Sequence, residues 1–312
     1  MTEAGPATGS RPVREARPGR GAVQEAGPVA GAQLVQGAGR PRRPLGAALA
    51  RPTVLILTGL WVAGPLLPLA VQAFTDQWFY PDLWPARWSL VGWEQALGPQ
   101  SRLAEAVATS ISIGAAVAAL ATVLGAAAGR ALAWHRLPGR RLIELVLLAP
   151  VLVPPFAVAM GAQIVYLRAG LADSLAGVVL AQLPAATAYA TLLMSGVWAG
   201  VDPALERQAR TLGAGAWRAF REVSLPQLRG GLVVAAMFAF LISWSDYLLT
   251  LLIGGGVVTT VPLLLFATAA GSGNQAATAA IALVAVAPPL LLTALAARQL
   301  AGRDTALLGV GR

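Results

Sequence analysis

The sequence has no cysteine, which excludes disulfides, thiolate chemistry and Cys-ligated metal. It has no lysine either, since all 23 basic residues are arginine. We read that bias as GC-rich codon usage, not as recognition. It rules out a phosphate-binding loop ending in Gly-Lys-Ser/Thr on this chain. The one histidine, His135, cannot supply a His pair for a metalloprotease. Charge is scarce, at 12% of 312 residues, where about a quarter is usual for a soluble domain. In its place, 56% of the chain is hydrophobic and the mean hydropathy is +0.66.

The little charge there is lies unevenly. Residues 1–52 hold eight arginines against three glutamates, within a Gly/Ala/Pro-rich stretch that lacks apolar periodicity. This predicts a disordered basic tail suited to anionic lipid rather than nucleic acid. Six apolar stretches follow, near 53–74, 103–133, 141–167, 173–199, 228–253 and 276–300. Each reaches the roughly 20 residues that cross a hydrocarbon core. Arginine clusters in the tail, at 130, 136, 140 and 141, and at 207, 210, 218, 221 and 229, with only Arg87, Arg102 and Arg168 on the alternate side. The positive-inside rule then puts both termini in the cytoplasm, with residues 301–312 as a second tail.

The segment after the first span carries seven aromatics: Phe74, Trp78, Phe79, Tyr80, Trp84, Trp88 and Trp93. They suit an interfacial belt, a docking surface for an extracytoplasmic partner, or both. Gly125 and Gly129 form a small-xxx-small pair for close helix packing. Pro150, Pro154 and Pro155 are expected to interrupt the third span, and Pro288-Pro289 the sixth. Glu144 has Arg140 and Arg141 within reach. Asp246 falls inside the fifth span, about 7–8 Å beyond its midpoint at 1.5 Å per residue. There a carboxylate needs a protein partner or a wet path. With Ser243 and Ser245 it lines a translocation path, or it is a structural tie.

One stretch breaks the apolar pattern: "ERQARTLGAGAWRAFREVSLP", residues 206–226. Asp202 as N-cap, Pro203 at the first helical position and Gly213 as stop mark one short helix. A second, shorter helix follows, with Trp217 and Phe220 on one face and Pro226 expected to close it. Such a pair either inserts its aromatics into a groove of another protein or lies on lipid.

The stretch resembles the cytoplasmic signature loop of permease subunits of binding-protein-dependent ABC importers, type I. Ala209, Gly213, Val223, Leu225 and Pro226 fall at the positions of that pattern, while Arg207 stands where Glu is usual and Gln208 where Ala is. Glu206 lies one residue early. The resemblance covers roughly residues 105–298. It implies an all-α polytopic membrane protein with six transmembrane helices and a cytoplasmic coupling-helix loop over 201–229. The first helix and outer aromatic segment would occupy 53–102, and the importer transmembrane domain 103–300.

The resemblance further implies a multi-pass subunit of the bacterial cytoplasmic (inner) membrane that is not itself an enzyme. It would have no catalytic residue, metal or cofactor of its own. Its partners would be an ATP-binding cassette ATPase dimer, a second permease subunit (the same chain or a related one) and an extracytoplasmic solute-binding protein, within membrane lipid. Docking to the ATPase would fall to Glu206, Arg207, Ala209, Gly213, Trp217, Phe220, Val223, Leu225 and Pro226. The outer segment and the "SWSDYLLTLLIGGG" run are similar to the spermidine/putrescine-type branch, which implies a polyamine or similar small solute. A stand-alone secondary transporter or channel would show more intramembrane charge and internal pseudo-symmetry. An intramembrane protease would need a His or Lys base.

Overall fold

Where long runs carry no charge, the backbone must satisfy its own hydrogen bonds, and helix is the open-chain way to do so. The computed structural model describes residues 53, 57–61, 64–78, 82, 84–271 and 274–307. The chain divides into units 1–59 and 60–312, and the fold below is that of the second. The elements are α1 (Leu66–Ala73), an antiparallel pair β1 (Thr75–Gln77) and β2 (Arg87–Trp88), α2 (Val91–Leu97), α3 (Leu103–Trp134), α4 (Arg140–Leu152) and α5 (Pro155–Arg168). Then come α6 (Leu175–Ala199), α7 (Pro203–Thr211), α8 (Ala216–Ala219), a π-helical turn (Phe220–Ser224), α9 (Leu225–Trp244), α10 (Leu248–Gly254), α11 (Val261–Ala270) and α12 (Gln275–Leu307).

Among the described residues four helices are long and apolar enough to cross a membrane: Leu103–Trp134, Leu175–Ala199, Ala216–Trp244 and Gln275–Leu295. The pair α4–α5 adds a fifth if its two bent halves make one span. The expected first span lies partly outside the described residues; 57–61 and α1 are helical. The predicted tail 1–52 lies wholly outside them. Helix α12 runs on to Leu307, into the stretch expected to be a tail.

The core forms where α3, α6 and α9 meet, around Ile113, Val117, Ala121, Val178, Ala186, Ala190, Met194, Trp198, Leu228, Ala235 and Ala239. Small residues make this possible. A Cβ at Gly125 would lie 2.8 Å from the Ala190 carbonyl carbon, and one at Gly129 2.7 Å from the Ser195 nitrogen. The glycine pair expected from sequence is therefore the seam between α3 and α6. A second cluster, with Ala73, Ala96, Leu103, Ala280 and Ile281, joins α1, α2, the start of α3 and α12. Helix α11 meets α3 where Val261 donates its backbone N–H to the Ser110 hydroxyl, 2.9 Å.

Of the expectations about helix continuity, the interruption of the third span holds and two others are corrected. The third span bends by 88° between its two helices. Val153 and Pro154 each precede a proline and are driven extended (ψ 135° and 125°). Conversely, Pro288-Pro289 do not interrupt the sixth span, and α12 is helical through both. Pro289 frees the Ala285 carbonyl, and the Trp244 indole N–H donates to it at 2.9 Å. The fifth span is not continuous over 228–253, because α9 ends at Trp244 and α10 begins at Leu248. There the Ser245 hydroxyl turns back to the Leu241 carbonyl, 2.9 Å, in the local competition that favours a break.

Candidate functional site

Helix α7 begins as the sequence predicts. The Asp202 carboxylate accepts from the Ala204 N–H at 2.8 Å and Pro203 takes the first turn. Gly213 ends the turn at φ +92°, in the region that favours glycine. A Cβ there would meet nothing within 4 Å, so the constraint on this position is backbone conformation rather than space.

The second helix departs from expectation. Pro226 does not close it. From Ala216 the chain runs through the π-helical turn into α9 as one 29-residue helix. Pro226 sits in the first turn of α9, where a missing N–H is tolerated. The loop is therefore a direct extension of a membrane-length helix.

The two aromatics separate in role. Trp217 is exposed (71%), whereas Phe220 is partly buried and stacks on Trp198 at 6.5 Å. Phe220 belongs to the core, while Trp217, whose ring leans on Phe220 at 5.7 Å, and Leu212 (88% exposed) are the loop's most exposed large apolar side chains. Arg207 and Gln208 are exposed, Ala209 and Val223 half-buried, and Leu225 and Pro226 lie at the start of α9. Arg218 pairs with Glu222, 3.0 Å, on the loop surface.

Glu206 is the surprise. It is 7% exposed and turned inward. Arg130 of α3 donates to one carboxylate oxygen at 2.8 Å, and the Ser224 hydroxyl donates to the other at 3.0 Å. The Arg130 guanidinium lies over the rings of Trp134 (4.8 Å) and Trp198 (5.2 Å). Those rings pack edge to face at 4.7 Å, and each indole N–H is bonded, Trp134 to the Trp198 carbonyl and Trp198 to the Ala126 carbonyl. Sequence reasoning counted Arg130 only as part of a basic turn and overlooked Ser224, Trp134 and Trp198. The available signal was the position of Glu206 three residues before Ala209, on one face of α7.

At the break between α9 and α10, Asp246 accepts from the Gln182 amide, the Thr250 N–H and the Thr250 hydroxyl, each at 3.0 Å. Ser243 is buried and donates to the Gln182 amide oxygen, while Ser245 is exposed. The carboxylate thus caps α10 and ties it to α6. The signal overlooked in the sequence is an Asp just before an apolar run, a helix-start pattern. Asp246→Leu would strand the Gln182 and Thr250 donors, at about 1–3 kcal/mol. It is expected to lower the thermal unfolding temperature in detergent well below that of Asp246→Asn, whose amide oxygen still accepts. Equal unfolding temperatures for the two variants would refute this capping role.

At the other end of α3, Phe74 packs against Trp93 at 5.7 Å, and Trp84 and Trp88 are exposed. Phe79 and Tyr80 lie outside the described residues. A polar cavity of about 280 Å³ is lined by Gln72, Asp76, Trp78, Gln95, Asn274 and Gln275. Glu144 pairs with Arg140 at 2.7 Å, one of the two partners expected. Among the described residues no group of three or more His, Asp or Glu side chains is placed to hold a metal.

Comparison with known proteins bears on this arrangement. A family model described as "binding-protein-dependent transport system inner membrane component" matches residues 121–303. The chain is 33% identical over 146 residues to the trehalose transport system permease protein of Mycobacterium tuberculosis, covering 47% of this chain and 53% of that protein. It is 26% identical over 196 residues to the diacetylchitobiose uptake system permease protein of Streptomyces coelicolor, covering 63% of each. It is 26% identical over 205 residues to the putrescine transport system permease protein of Escherichia coli, covering 63% of this chain and 71% of that one. The match thus spans between half and two-thirds of the first two relatives' length. In fold, the chain is similar to a bacterial ABC transporter involved in the import of the acidic polysaccharide alginate. That likeness has a TM-score of 0.62 at 16% identity, over 83% of this chain and 98% of that one.

Proposed function

The chain belongs to the family of binding-protein-dependent transport system inner membrane components, and on that premise we propose that it is the permease subunit of an ABC importer. It forms a solute path through the cytoplasmic membrane with a second permease subunit and is driven by an ATPase pair bound at the 201–229 loop. A solute-binding protein delivers cargo from the outer side. The observation that carries this reading is the loop itself: α7 and α8 meet at Gly213, expose Leu212 and Trp217, and continue directly into α9. A displacement of the loop therefore acts on a membrane-length helix without an intervening hinge. The test is affinity purification of the tagged chain co-expressed with an ATP-binding cassette ATPase encoded beside it in the genome. Recovery of the ATPase is expected, and its absence would overturn the reading.

Orientation follows from the arginine asymmetry. A reporter fused after Arg312 is expected to be active in the cytoplasm, and one inserted near Pro85 outside. The opposite labelling would move the loop away from any cytoplasmic ATPase.

For cargo, the polyamine reading rests on the likeness of the outer segment and the "SWSDYLLTLLIGGG" run to the spermidine/putrescine-type branch, with the Asp246 carboxylate, beside Ser243 and Ser245, as its one support within the path. Its bonds to Gln182 and Thr250 give that carboxylate a structural task. The named cargoes of the relatives include a neutral disaccharide and a cationic diamine, so likeness to them favours no charge. We therefore place selection with the binding protein and keep the cargo as a small polar solute. If Asp246 handles charge as well as capping α10, Asp246→Asn slows uptake while leaving complex assembly intact.

A further inference from the structure

The coupling loop joins the bundle covalently at α6 and α9. It is also tied by an ion pair to a helix far away in sequence. Among the described residues Glu206 is the one side chain of α7 whose hydrogen bonds leave that helix. Its two oxygens are used by different elements: Arg130 of α3, 76 residues away, and Ser224 of the π-helical turn, which is 1% exposed. The arginine is itself constrained, because its guanidinium lies over two tryptophan rings whose own N–H groups are bonded to α3 and α6 carbonyls. An arginine held over aromatic faces loses little further freedom on pairing with a carboxylate. The pair is more than a surface ion pair, since the Glu206 side chain is 9% exposed.

We propose that Arg130 is a positioning residue for transport: pinned in the Trp134–Trp198 corner, it grips Glu206 and makes α3 move as one body with the coupling loop. The inference rests on the importer-subunit reading and adds a third helix to the two that the loop reaches through the chain. Because α3 packs along both α6 and α9, the grip delivers the motion of the loop to the middle of the core.

The absence of native cysteine makes the test direct. Spin labels are attached at His135→Cys, just after α3, and Thr211→Cys at the end of α7, both exposed positions. Their separation is measured by double electron–electron resonance in the full complex with its ATPase, without nucleotide and with ATP and vanadate. In the otherwise wild-type chain the distance distribution is expected to keep its position and width in both states. With Arg130→Gln it is expected to broaden and to shift with nucleotide, while the ATPase still co-purifies. A role confined to folding would not produce a nucleotide-dependent shift.

Should Arg130→Gln not fold, Glu206→Gln decides the matter, because it keeps the shape and a donor–acceptor amide but removes the charge. A separation that shifts with nucleotide in the wild-type chain overturns the proposal, and so does one that stays fixed in the variant that folds. Failure of the importer reading is distinguishable, because no ATPase would then co-purify even with the wild-type chain.

Discussion

Gly129→Leu is expected to abolish recovery of folded protein, assayed as a monodisperse peak by fluorescence-detected size exclusion after detergent extraction. The Cβ alone would stand 2.7 Å from the Ser195 nitrogen and 2.8 Å from the Met194 carbonyl carbon. Those are backbone atoms and cannot turn aside, so α3 and α6 must separate. Overpacking of this kind costs about 1–3 kcal/mol even where side chains can adjust. Separation would also loosen the buried set around Ala121, Ala190 and Met194, and no hydrophobic effect between helices restores packing lost in lipid. Gly196→Ala on α6 is the control, since nothing lies within 4 Å of a Cβ there. A normal peak for Gly129→Leu would mean that the α3–α6 seam is not the close packing described.

Gly213→Val is expected to leave folded yield unchanged and to sharply reduce co-purification of the ATPase. The open space around the position removes any clash. A β-branched residue at φ +92°, however, carries about 1–3 kcal/mol of strain. The chain relieves it by opening the α7–α8 turn, which changes the shape offered to the partner. Trp217→Ala acts on the same interface by removing the exposed anchor. Aromatic hot spots are worth about 2 kcal/mol or more, or roughly 30-fold in affinity. Arg207→Ala is expected to be milder, about 1 kcal/mol or less, as for an exposed charge. Phe220→Ala should instead lower stability of the chain itself, because that ring packs on Trp198. ATPase recovery at wild-type levels with both Gly213→Val and Trp217→Ala would refute the docking surface.

Much of this was legible in the chain. Scarcity of charge and apolar runs of membrane length require helices, because hydrocarbon leaves the backbone no other partner. Asp202, Pro203 and Gly213 mark the bounds of α7, because capping chemistry and positive φ are local properties written in single residues. The spacing of Gly125 and Gly129 announced a close crossing without naming α6 as the helix that crosses. Helix breaks were read less well. Pro154-Pro155 bend the chain sharply while Pro288-Pro289 leave α12 whole, and the residues alone look alike. One difference visible in the structure is the Trp244 indole, which reaches the Ala285 carbonyl freed by Pro289 from a helix 41 residues away.

What the sequence by itself determined was membrane residence, helix, and a charged loop with caps and a glycine turn. These follow from transfer energies and backbone preferences that act within a few residues. Only the tertiary structure decided which charges the loop keeps for itself. Glu206 turns inward because Arg130 waits there between Trp134 and Trp198, while Arg207, its immediate neighbour, faces out. One step along a helix rotates a side chain by about 100°, from a buried face to solvent. Whether that face is buried depends on a helix 76 residues distant, so no local rule can supply it.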